Sequence, residues 1–249
     1  VVHLILCKMW NVYYAKSIKI GVERMAVIKR VSLVDQVYEK LRERIVQLKI
    51  PFGSKLNVSK LQEEYGVSST PVREALNRLL NEGLIEFENN VGARVIDITE
   101  EDVREIQEIA FAYQMVAARN ALRNGDAQQM ADEIGKYIEE YRSSNGVIES
   151  CRCIRNILDV FYKNSKNEML MTKVTSMTGM DEILHALFAM PREKGGSGEQ
   201  YHSGITYFEQ IHEAVANKDF SKICDGLEAH QLWSRDYILK NLETVKNRF

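Results

Sequence analysis

The sequence predicts a mainly α-helical chain. Three observations carry that expectation: only three prolines in 249 residues, a heavy load of Leu, Glu, Lys, Arg and Ala, and apolar positions recurring at three- and four-residue spacing. One short stretch departs from the pattern. "LIEFENNVGARVIDI" reads as two strands, Leu84 to Glu88 and Ala93 to Ile98, with Asn89, Asn90 and Gly92 as turn residues.

A chain of this length, 45% hydrophobic and 27% charged, suits one large domain or two small ones. The net charge of −2 gives no global basic field. It is also the value a small basic unit fused to a mildly acidic one would average to. Cys7, Cys151, Cys153 and Cys224 read as free thiols of a reducing cytoplasm, since "CRC" is not a C-x-x-C pair and no second pair accompanies it. The first stretch, residues 1–25, is too short and interrupted in its apolar run to cross a bilayer, and its order is wrong for a signal peptide. It reads as an extension upstream of a natural start at Met25, disordered or loosely packed.

The elements follow in order. Ser32 caps a helix whose Leu33, Val37, Leu41, Ile45 and Leu48 form one apolar stripe, and "PFGS" stops it. Asn57 caps a short helix from about Val58 to Tyr65, which Gly66 closes. In "YGVSSTPVREALNRLLNEG", Thr70 can cap a third helix with Pro71 at its first position and Gly83 at its end. Leu76, Leu79 and Leu80 are its expected core face. Helix, helix, turn, helix and hairpin within residues 26–98 make a winged helix-turn-helix. Thr99 and Asp102 then open a new helix in a capping-box arrangement. From there only helices are expected, at about 100–123, 126–143, 147–164, 167–190, 200–217 and 219–246, forming an all-α bundle over residues 99–249. The glycine-bearing "MPREKGGSGEQ" is a connector, because no Gly-Lys-Ser/Thr follows it and no strand precedes it.

The third helix raises the functional question. A helix-turn-helix inserts its second helix N-terminus first into the major groove, where free amides and a positive dipole end suit a phosphate. Ser68, Ser69 and Thr70 add hydroxyls at that tip. Arg73, one turn in, reaches a guanine edge or a phosphate, and Asn77 is placed to read an adenine. Ser59 and Lys60 open the preceding helix. Asn89, Asn90 and Arg94 put donors on the hairpin for a minor groove or backbone. An isolated Arg73 would more simply pair with Glu74 or Glu63, but the surrounding pattern favours DNA.

These residues carry a resemblance. "LQEEYGVSSTPVREALNRLLNEGLIEFENNVGARV" resembles the DNA-binding domain of the GntR family of bacterial transcription regulators, and the helical remainder resembles the FadR/FCD subgroup. The resemblance implies a cytoplasmic homodimer, acting as a repressor on double-stranded operator DNA and governed by a small-molecule effector in its helical domain. It also implies no enzymatic activity. Two departures stand on the DNA side. The family's arginine before Thr-Pro-Val-Arg is Ser69 here, and charged residues common at the start of the short helix are Val58 and Ser59. Losing a bidentate guanine reader costs about 1–3 kcal/mol of discrimination, so an unusual operator or weaker binding is expected.

FCD domains often hold a divalent metal on an aspartate and three histidines. By alignment those positions fall on Ile154, Leu158, Phe208 and His230, so no metal and no cofactor is expected. An arginine and glutamate that usually face the family's pocket correspond to Ala110 and Gln114, and losing the arginine removes the natural clamp for an organic acid. Tyr113, Gln114, Leu158, Phe208 and His230 are the candidate effector contacts, in a cavity that is either apolar or collapsed into plain core. Two other classes remain as alternatives. A metal-dependent enzyme with a vestigial winged domain needs a catalytic cluster that the sequence does not offer, and a winged protein-interaction module would bind DNA negligibly.

Overall fold

The structure, a computed structural model, describes residues 32–88, 91–144, 147–189 and 204–247. The expectations for residues 1–25, Asn89, Asn90 and the glycine-bearing connector lie outside them.

Helix α1 (Leu33–Val46) begins at the predicted Ser32. The Ser32 hydroxyl accepts from the Asp35 amide while the Asp35 carboxylate accepts from the Ser32 backbone, a reciprocal capping box. Its stripe buries Val37, Leu41 and Ile45, whereas Leu33 stays exposed at the first turn. Helix α2 (Val58–Tyr65) is capped by the side-chain Oδ1 of Asn57, which accepts from the Ser59 and Lys60 amides. Gly66 ends it at φ 64°, a left-handed conformation that favours glycine.

Helix α3 (Ser69–Asn81) starts earlier than expected. Ser68 is its N-cap, Thr70 lies inside the first turn, and Pro71 takes the third helical position, where a missing N–H still has no intrahelical partner to lose. Val72, Ala75, Leu76 and Leu79 form the buried face. Leu80, expected in the core, sits at its edge and is exposed. Strands β1 (Ile85–Glu88) and β2 (Gly92–Val95) pair antiparallel, Ile85 opposite Val95. The second strand is therefore shorter than predicted.

Helix α4 (Glu100–Asn124) opens on the Thr99–Asp102 capping box. It is followed by α5 (Ala127–Arg142), α6 (Val147–Asn164), α7 (Glu168–Ser176), α8 (Thr178–Ala189), α9 (Ile205–Ala216) and α10 (Phe220–Lys246). The single helix predicted over 167–190 is thus two, broken at Met177. Hydroxyls explain the break. Thr172, Thr175, Ser176 and Thr178 each donate to a carbonyl three or four residues earlier, competing with the backbone ladder.

Two hydrophobic cores result, and they do not divide at Thr99. One joins α4, α5, α6, α9 and the start of α10, around Ile134, Ile157, Phe161, Phe208 and Leu227. Gly226 lets α9 and α10 approach closely, since a side chain there would meet Ile211 at 2.7 Å. The other is the winged unit's own core, completed by Ile183, Leu184 and Leu187 of α8 and Ile238, Leu242 and Val245 of α10. Lys246 adds a tie at the far end of α10, 2.6 Å from the Asp97 carboxylate and donating to the Ile98 carbonyl. The winged unit therefore rests on two helices of the bundle.

Candidate nucleic-acid interface

The tip of α3 projects away from that contact. Ser68, Thr70, Arg73 and Asn77 are exposed and Ser69 is half-buried, while Ser59 and Lys60 at the start of α2 are exposed. The four-residue step from Arg73 to Asn77 keeps both on one side of the helix, away from the buried Val72, Ala75 and Leu79. The N-cap Ser68 makes no side-chain bond to the helix amides, in contrast to Ser32, Asn57 and Thr99. Those amides are left for another acceptor.

Arginines near the tip differ in what they hold. Arg44 bonds the Glu64 carboxylate at 2.6 Å and the Tyr65 hydroxyl, and Arg78 bonds Asp35 at 2.7 Å. Arg94 lies across the hairpin, donating to Glu88 at 2.7 Å and to the Gly53 carbonyl at 3.1 Å, so its guanidinium holds the wing together. Among the described residues Arg73 makes no ion pair, and neither Glu74 nor Glu63 reaches it.

The opposite end of α3 is clamped to the bundle. Arg42 is buried and bridges two carboxylates, with Nε 3.1 Å from Glu82 and Nη1 2.8 Å from Glu182. Burial works against the Arg42 charge, but Glu182 and Glu82 outweigh it and push its pKa up. Glu82 is the C-cap of α3, and the Tyr38 hydroxyl also donates to it at 2.8 Å. Glu182 belongs to α8. Next to it, Leu84 packs on Gly179, where a side chain would meet Leu84 at 3.0 Å.

The other face of α8 lines a cavity of about 90 Å³ in the bundle. Of the candidate effector residues, Gln114, Leu158 and His230 line it, as does Ile154. Tyr113 and Phe208 do not: Phe208 is fully buried behind His230, ring centroids 4.6 Å apart. The cavity is neither collapsed nor apolar throughout. Asp181 and His185, one turn apart on α8, face it, with Gln107 from α4 and Gln231 from α10. Sequence reading missed these four, although "DEILH" displays the Asp/His spacing openly. His185 Nδ1 lies 2.7 Å from the Asp181 carbonyl and 3.3 Å from its carboxylate. Burial, then His185, pushes the His230 pKa down to about 3, so its ring is neutral.

The metal positions of the FCD pattern do not fit a metal here. Ile154, Leu158 and Phe208 offer no donor atom, and among the described residues no group of three or more His, Cys, Asp or Glu side chains is arranged to hold an ion. Among the described residues Cys153 and Cys224 are free thiols. Among the described residues no helix is long and apolar enough to cross a membrane.

Comparison with known proteins identifies the winged unit. The model for "Bacterial regulatory proteins, gntR family" matches residues 33–95, which are α1 to β2. The chain carries a GntR-family regulator domain. The chain is 31% identical over 106 residues to the uncharacterized HTH-type transcriptional regulator BphR of Paraburkholderia xenovorans, covering 43% of each chain. It is 31% identical over 117 residues to the gluconate operon transcriptional repressor of Bacillus licheniformis, covering 47% of each. The matched part spans a little under half the length of these curated relatives. In three dimensions the chain is similar to Escherichia coli McbR/YncC, with TM-score 0.61 and 20% identity, over 88% of this chain and 99% of that one. This likeness extends the shared fold through the helical bundle. The relatives so named are transcription regulators, not enzymes.

Proposed function

We propose that this GntR-type protein is a sequence-specific, DNA-binding transcription regulator whose helical part senses a small molecule. Its action as a repressor is supported by the similarity to the gluconate operon repressor. The observation that carries the reading is the exposed tip of α3, where amides without a side-chain cap stand together with Arg73, which has no ion pair among the described residues, on a helix that the family pattern assigns to DNA.

In this reading Ser68, Ser69, Thr70, Ser59 and Lys60 hold phosphates, while Arg73 and Asn77 read base edges. Two copies place two tips on successive half-sites. Arg94 acts by shaping the wing and contributes less to DNA than the sequence pattern suggests. The effector occupies the cavity beside α8 and acts on the winged unit through that helix. Asp181 and His185 face the ligand, while Glu182 grips Arg42 and, through it, the C-cap of α3. The ligand shifts DNA affinity to the extent that it binds the two placements of α8 unequally. The division into a winged unit at 26–98 and an effector unit at 99–249 is functional, since packing is continuous between them.

The test is selection of duplexes from a random-sequence pool with the full chain, followed by a salt titration of the winner. The proposal expects a recovered sequence and an affinity falling steeply as salt rises, by counterion release. Recovery of no preferred sequence, or an affinity indifferent to salt, would overturn it.

A further inference from the structure

The polar chemistry of the cavity is one-sided. Among the described residues lining it there is no lysine and no arginine, and the carboxylate of Asp181 is its one acidic group. That side chain is packed about by protein yet keeps 42% of its surface accessible, as a group facing a cavity does. Gln107 of the same wall holds a further acceptor, covered from the cavity by its neighbours. The Gln107 side-chain oxygen is buried and has no hydrogen-bond partner among the described residues, although its backbone carbonyl accepts from Gln231 at 2.7 Å. Buried acceptors left unpaired are uncommon, and each costs about 1–3 kcal/mol.

An entering organic acid would find no permanent cation there and would face Asp181. Neither imidazole substitutes. His230 is neutral, and His185 already turns its Nδ1 toward Asp181. An ammonium group finds the reverse: a carboxylate to pair with, and the edge-to-face Phe188 and Trp233 rings, centroids 5.4 Å apart, which suit a cation over an aromatic face. Burial works against the Asp181 charge, but the adjacent His185 and, from α6, Arg155 hold its carboxyl below the usual range. Behind the wall, Glu182 feels both Arg42 and Arg155, so those charges oppose one another outside the cavity.

We infer that the cavity takes a small organic amine, held as its ammonium ion on Asp181 with its apolar part against Leu158, Phe188 and Trp233. This rests on the reading of the cavity as the effector site. A volume of about 90 Å³, against the roughly 10–15 Å³ that a single water needs on the same measure, sets the scale at a ligand of several heavy atoms.

Butylamine and butyrate, matched in chain and opposite in charge, are the probes for the full chain at neutral pH. Thermal melting and Trp233 fluorescence are the readouts. At about tenfold excess over its Kd, butylamine raises Tm by about 3–6 °C, and butyrate does not. Asp181→Asn, nearly isosteric, loses the amine response while retaining its own cooperative melt. Leu158→Ala, which widens the apolar end, keeps the preference for amine over acid. Stabilisation by butyrate, an amine response that survives Asp181→Asn, or no response to either probe would overturn the inference. DNA affinity measured on the same preparations separates the two readings. Amine binding that depends on Asp181 but leaves DNA affinity unchanged supports the ligand class and sinks the effector assignment, whereas loss of DNA binding in unliganded wild type sinks the regulator itself.

Discussion

Arg42 and Arg73 belong to the same winged unit and stand in opposite surroundings. Arg42 is 6% exposed and fixed between Glu82 and Glu182, while Arg73 is exposed with no ion pair among the described residues. A guanidinium with two carboxylates is committed to the protein. One without them remains available to a phosphate or a guanine edge. The two ends of α3 thus divide the work: its C-cap is anchored to the bundle and its N-terminal tip faces outward. The difference teaches that charge count alone does not locate a nucleic-acid surface, which is why a net charge of −2 was silent about it.

The largest way to break this comparison is at the buried end. Arg42→Met removes the guanidinium hydrogen-bonded to the largely buried Glu182 and to Glu82, leaving Glu182 only the charge of Arg155, and a loss of about 3 kcal/mol is expected, read as a lower urea midpoint. A change within experimental scatter would mean that the clamp contributes nothing. Next comes pH. His230 has a folded-state pKa of about 3 against the usual 6.5, so the unfolded chain binds more protons between those values. Stability present above pH 6.5 is therefore lost as pH falls toward 3, by about 2 kcal/mol at pH 5. His230→Phe should flatten that part of the pH–stability profile, and an unaltered profile would show that another group is responsible. Asn57→Ala removes the α2 cap and should cost about 1 kcal/mol, with DNA affinity falling in step because Ser59 and Lys60 lie on that first turn. Smallest is Arg78→Ala, which cuts an exposed pair with Asp35 and should cost less than about 1 kcal/mol.

What was legible in the sequence was local. Ser32, Asn57, Thr99 with Asp102 and Gly66 each act within a few residues, and each cap or stop sits where its spacing predicts. Thr70 misled because Ser68, Ser69 and Thr70 are all competent caps, and packing of Val72 and Leu76 chose the register. The break at Met177 was hidden because neither proline nor an obvious cap marks it. Four hydroxyls and the fit of Gly179 to Leu84 produce it, and the second of these is a tertiary contact. The Arg42–Glu182 pair joins positions 140 residues apart, beyond any periodicity. At the cavity, alignment to the metal pattern fixed attention on Ile154, Leu158, Phe208 and His230. Asp181 and His185 on the next helix supply the polar wall instead.

The central claim is tested most directly by Arg73→Ala, measured against Arg78→Ala on the same helix with the selected duplex. The account predicts that Arg73→Ala lowers affinity at least about tenfold, roughly one bidentate contact, with an unchanged melting temperature, while Arg78→Ala changes affinity little. An Arg73→Ala protein that binds the duplex within about a factor of two of wild type, a free-energy change well below one such contact, would contradict it.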